Sequence, residues 1–218
     1  MASIRSFEAP HKGLRYIMSN FSFQLGYTDI GDPKQLLKLK DLGHDMFVLL
    51  NDHVHTENEV TLKELEAKLP GSSRHDILDH ENLEIIQRSL ESKLSSLTGI
   101  ETPTEMHGFY LEFSIFHSQY LEHIYEEETV TEILLQKYFT DEELIQHRLL
   151  IMKRIEPSVL LLWLKYIVSA QGIPESVGML SGFRANAPKE AFDAVMDNIR
   201  SEMDPDRFQL FMGKLKES

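Results

Sequence analysis

The sequence predicts an all-α protein: an up-down-up-down four-helix bundle with additional C-terminal helices. Three observations carry this expectation. Strand-like alternation is nearly absent, while Leu, Met, Glu, Lys and Gln dominate. Helix start signals recur along the chain. The loops between the long periodic segments are short, which favours antiparallel neighbours.

The first helix is expected from about Pro10 to Leu25, followed by a loop over 27–32. Asp32-Pro33-Lys34-Gln35 then sets an N-cap, a first-position proline and a capping-box glutamine in register. This second helix should run to about Lys68, with Gly43 as a point of disturbance. Pro70-Gly71 breaks the chain, and a third helix spans Ser73 to about Leu97, stopped by Thr98-Gly99. Thr102-Pro103-Thr104-Glu105 repeats the start signal for a fourth helix, which reaches about Phe139 with an interruption near 128–131. Further starts stand at Thr140 to Glu143 and at Asp204-Pro205. Pro157, Gly172-Ile173-Pro174, Pro188 and Pro205 cut the rest into short helices. The expected division is a bundle over 1–136 and a helical extension over 137–218, which packs on the bundle because Trp163 and its leucine-rich neighbours need cover.

Composition narrows the chemistry. The 218 residues carry 22 basic and 35 acidic side chains, a net charge of -13 that argues against a nucleic-acid partner. The lack of cysteine removes disulfides, thiol nucleophiles and thiolate metal sites. Ten histidines among many carboxylates leave a metal site built from nitrogen and oxygen donors. The most apolar run, Val159 to Ala170, is interrupted by Lys165 and is too short to span a bilayer. Met1 to Pro10 has no hydrophobic stretch. A soluble, cytoplasmic protein with no membrane partner is the expectation.

Two helices carry His-x-x-x-Glu, as His55/Glu59 and as His123/Glu127, with both side chains on one helical face. Upstream of His123 the face is apolar through Tyr120, Phe116, Phe113 and Phe109, so it should point inward. Upstream of His55 it is less clean, with Asp52, Val48 and His44. At a rise of about 1.5 Å per residue, Glu59 and Glu127 lie roughly 39 Å and 36 Å along their helices. His11 and His80 lie early in the first and third helices, level with them in an alternating bundle. These six residues suit iron or manganese, and zinc also remains open on ligand identity. Two bridging carboxylates, four histidines and an oxo or hydroxo bridge would leave positions for a small ligand such as dioxygen.

At this point the chain resembles the hemerythrin-like family, also called HHE cation-binding domains. The likeness rests on His11, His55/Glu59, His80 and His123/Glu127, and covers roughly residues 8 to 136. It implies a non-haem di-iron centre in a four-helix bundle, with Glu59 and Glu127 bridging and the four histidines as terminal ligands. It implies binding or sensing of dioxygen or a related diatomic or peroxide ligand. The alternative is a di-iron oxidoreductase acting on peroxide or nitric oxide, or an iron-supply or repair protein. One departure stands out: oxygen-carrying members place a second histidine four residues before the one matched by His80, and here that position is Asp76. Asp76 reads as a helix cap or an acceptor behind a ligand. Glu57, Glu84 and Glu126 read as solvated helix residues, Tyr120 as core, and His44 as structural. His53, His75, His107, His117 and His147 read as surface or hydrogen-bonding residues, and no protein partner is identified.

Overall fold

The computed structural model describes residues 4–217, and among them there are only helices. They are α1 (Glu8–Tyr27), α2 (Pro33–Thr56), α3 (Leu62–Lys68), α4 (Arg74–Ser96), α5 (Pro103–Glu126), α6 (Glu132–Tyr138), α7 (Asp141–Arg154), α8 (Pro157–Ala170), α9 (Ile173–Asn186), α10 (Lys189–Glu202) and α11 (Pro205–Glu217). Two π-helical turns, Glu57–Thr61 and Glu127–Thr131, join α2 to α3 and α5 to α6, so each pair forms one continuous rod.

The starts follow local chemistry. Asp32 accepts the Lys34 N–H at 2.8 Å ahead of Pro33. Gln35 does not close a capping box: its Oε1 instead accepts the Asp29 N–H. Thr102 with Glu105, and Thr140 with Glu143, form complete boxes in which each side chain binds the other's backbone N–H. Gly71 and Gly99 have φ of 89° and 91°, left-handed values that end the preceding segments at little steric cost.

Each rod packs on two others: α1 on α2 and α5, and α4 on α2 and α5. Their shared core is an aromatic column. Phe21 meets Phe113 edge-on at 4.7 Å, Phe113 neighbours Phe116, and Phe116 neighbours Tyr120. Gly43 does not disturb α2, which runs unbroken past it. A Cβ at that position would stand 2.7 Å from the Phe21 ring, with Leu94 Cδ2 closer still, so glycine is what lets α1, α2 and α4 approach. The substitution Gly43→Val is expected to lower unfolding stability by about 2–3 kcal/mol through overpacking. A urea denaturation midpoint equal to that of the native chain would show that the core yields there freely.

The C-terminal helices cover α1 and α2. α8 lies against both, and Gly13 of α1 admits Ile167 closely, its Cβ position 3.1 Å from Ile167 Cγ1. Trp163 Nε1–H donates to Asp52 at 2.7 Å, and the Tyr166 hydroxyl donates to Asp45 at 2.7 Å. The opposite face of α8, with Leu164 and Val168, joins a second core with Leu180, Val195, Ile199 and Phe211. At the other end, His147 of α7 is held between Thr61 (3.0 Å) and Glu64 (2.8 Å), which fastens α7 to the first π turn.

Candidate metal centre

The rods deliver their ionisable side chains to one level. His11 is in the first turn of α1 and His80 in the second turn of α4, while His53 and His123 end α2 and α5. Glu57 and Glu127 each open a π turn. In these turns the Leu62 and Glu132 N–H groups donate five residues back, to the Glu57 and Glu127 carbonyls. Such single turns insert a residue into a helix and are concentrated at functional sites. Each glutamate still bonds its N–H to the carbonyl of the histidine four residues before it, so α-helical spacing places the pair on one face, and the wider turn begins only beyond it.

Six buried residues converge as two overlapping sets, His11, His53, Glu57 and Glu127, and Glu57, His80, His123 and Glu127. Each carboxylate serves both. Glu57 Oε1 lies 3.4 Å from His53 Nδ1 and 3.9 Å from His11 Nε2, while its Oε2 lies 3.4 Å from His80 Nε2. Glu127 Oε2 lies 3.3 Å from His11 Nε2 and 3.7 Å from His53 Nε2, while its Oε1 lies 3.5 Å from His80 Nε2 and 3.3 Å from His123 Nε2. All six residues are at most 5 % exposed.

A metal ion fits this donor set. The Nε2 atoms of all four histidines, Glu57 Oε2 and both Glu127 oxygens are buried with no hydrogen-bond partner. Buried polar atoms without partners are costly, and buried ionised groups more so. Donors held about 2.1 Å from one ion stand roughly 3.0–3.4 Å apart at right-angle to tetrahedral geometry. Most spacings within each set lie at or just above that range, and His11–Glu57 is the widest. The buried His/Glu groups can therefore hold metal, each glutamate offering one oxygen to either set.

The outer ring nitrogens are fixed from behind. His11 Nδ1–H donates to Glu128 at 3.0 Å, and Arg15 grips the same carboxylate at 2.6 and 3.2 Å. His80 Nδ1–H donates to Asn58 Oδ1 at 2.9 Å. Both bonds turn Nε2 toward the centre and set its tautomer. Phe7 stacks on His11 at 5.2 Å, and Glu132 holds that end of the chain by accepting the Ser6 and Phe7 N–H groups. Asp76 accepts from the Thr131 hydroxyl at 2.8 Å; burial, with added repulsion from Glu127 and Glu57, raises its pKa to about 6.

Electrostatics within the cluster are set by the carboxylates. Burial opposes a charge on His80, but Glu127 and Glu57 outweigh it and hold its pKa up to about 10. His11 is likewise raised well above its ordinary value, against burial, by Glu127, Glu128 and Glu57. Burial lowers His123. Glu127 is held well below the usual carboxylate range because His11, His53 and His80 overcome its own burial. Tyr120, between His53 and His123, is fully buried with an unpartnered hydroxyl, and burial together with Glu57 and Glu127 keeps it protonated.

Of the sequence-predicted residues, His11, His80, His123 and Glu127 come together here, whereas His55 and Glu59 do not. Both of the latter are exposed, and Glu59 faces Lys63 at 3.9 Å. Their places are taken by His53 and Glu57. Two residues correspond to about 200° around a helix, so the register chosen from the sequence points away from the core. Two signals mark the correct one. His53 continues the apolar stripe of Met46, Leu49 and Leu50, all fully buried. His53-Val54-x-x-Glu57-x-x-Val60-Thr61 also repeats as His123-Ile124-x-x-Glu127-x-x-Val130-Thr131, with every pair 70 positions apart (123 − 53, 127 − 57, 131 − 61). Glu57 is thus not a solvated helix residue, nor His53 a surface one.

Comparison with known family models, curated proteins and solved structures finds no match for this chain. No helix among the described residues is long and apolar enough to cross a membrane.

Proposed function

We propose that this chain is a hemerythrin-like protein that holds two iron ions in an up-down-up-down four-helix bundle and binds or senses dioxygen or a related small ligand. The supporting observation is the double duty of Glu57 and Glu127, each with one oxygen toward His11/His53 and the other toward His80/His123. In this reading His11 and His53 complete one position, and His80 and His123 the other. Two bound irons would supply redox-active, exchangeable coordination positions for a small ligand. The chain's own residues do the rest. Glu128 and Asn58 keep the histidines presented, and the buried Tyr120 ring, backed by Phe116, packs against His53 and His123. The Tyr120 hydroxyl is a protonated donor, unpaired within the protein, beside the two carboxylates. Four histidines and two carboxylates mix borderline and hard donors, which suits iron and is compatible with manganese or zinc.

Anaerobic reconstitution with ferrous iron, followed by desalting, is expected to leave two ions per chain in the buried centre. Reversible optical changes with dioxygen should follow, without steady-state consumption of peroxide. Fewer than two ions at saturation would overturn the dinuclear reading. Sustained peroxide turnover would replace a binding or sensing role by that of an oxidoreductase.

A further inference from the structure

Just outside the buried centre, on the face shared by α4 and α5, His75, Asp79 and Glu126 each bring a donor atom within 4.8 Å of the others. His75 Nδ1 lies 3.3 Å from Asp79 Oδ2, and His75 Nε2 lies 3.1 Å from Glu126 Oε2. The three side chains are 67 %, 31 % and 39 % exposed, so a hydrated ion can reach them. They line a cavity of about 330 Å³ whose wall also contains Glu122 and the buried His123. His123 Nδ1 has no hydrogen-bond partner and faces Asp79 Oδ2 at 3.8 Å. Asp79 therefore links His75 at the surface to a histidine of the buried centre. No lysine or arginine lines the cavity, and its three carboxylates favour a cation. One imidazole with carboxylates suits a divalent transition metal.

We infer that His75, Asp79 and Glu126 form a surface capture site for a divalent transition-metal cation, from which Asp79 leads inward to His123. The capture site stands on its own residues; its role in loading the centre rests on the dinuclear reading proposed above. The cavity concentrates the ion, the trio replaces part of its water shell, and the carboxylate shared with His123 shortens the transfer to the interior.

Manganese(II) titration of the full chain, followed by the electron paramagnetic resonance of the free ion, tests the capture site. The variant Glu57→Gln/Glu127→Gln, checked for native helical circular dichroism, is expected to bind one ion and to lose it when His75→Ala and Glu126→Gln are added. With the buried centre intact, His75→Ala/Glu126→Gln is expected to take up limiting ferrous iron roughly tenfold more slowly or worse, with the final occupancy of the buried centre unchanged. A Glu57→Gln/Glu127→Gln chain that folds and binds no ion, or a surface variant that loads at the native rate, overturns the inference. Should the buried variant not fold, manganese broadening of the ring C–H resonances in the native chain serves instead. His75 must broaden before His11, and the reverse order or no effect on His75 overturns the proposal. A native chain that holds only the outer ion refutes the dinuclear reading and leaves the capture site standing.

Discussion

Replacing Glu57 by alanine is expected to abolish stable binding of both metal ions, whereas replacing Glu59 in the same way is expected to leave the stoichiometry at two. Glu57 offers an oxygen to each histidine pair, so its loss removes one donor from both positions at once. It also removes one of the two buried carboxylates that the imidazoles share. Glu59 is exposed, and Lys63 is the cation beside it. The paired histidines should divide the same way. His53→Ala should weaken binding by more than about 100-fold, beyond what is typical for loss of a residue that merely supports a ligand. His55→Ala should change it little. Metal content after desalting, with calorimetric titration of each variant, reads both effects. Metal lost from Glu59→Ala and kept by Glu57→Ala would refute the assignment.

Metal binding at pH 7 is expected to release about two protons per chain and to tighten as pH rises. With no metal bound, His80 titrates at about 10 and His11 well above its ordinary value, so both imidazoles are protonated at neutral pH. A metal ion requires the neutral ring, so these protons must leave. Glu127 is already ionised and His123 already neutral, so neither adds to the release. The sign follows directly. Below the raised pKa values protons compete with the metal, and apparent affinity should climb about tenfold per pH unit for each proton displaced. For His80 the climb should end near pH 10. Calorimetry in buffers of differing ionisation enthalpy counts the protons. Affinity independent of pH between 6 and 9 would show that these histidines do not hold the ion.

The helical rods were legible because their punctuation is local. Thr102-Pro103 with Glu105, and Asp32-Pro33, act on backbone groups within three or four residues. The apolar face of α5 could be followed from Phe109 to His123 because every member obeys one helical period. Two neighbouring His-x-x-x-Glu pairings in α2 obscured its register. His53/Glu57 and His55/Glu59 satisfy the same spacing, and only the stripe behind them, or the match to α5, separates the two. The interruption expected near 128–131 is a π turn that begins at Glu127 itself.

The sequence by itself determined an all-helical chain without thiol chemistry, with a wealth of nitrogen and oxygen donors and His-x-x-x-Glu on two long helices. These features depend on composition and on spacing within one helix, which short-range geometry governs. The tertiary structure resolved the choice between His53/Glu57 and His55/Glu59, and it alone decided that each glutamate divides its oxygens between two histidine pairs. It alone set Glu128, Asn58 and Asp79 behind His11, His80 and His123. The physical reason is that helical spacing fixes angles about one axis. Which face is buried, and which partner stands opposite, depends on the rods packed around it.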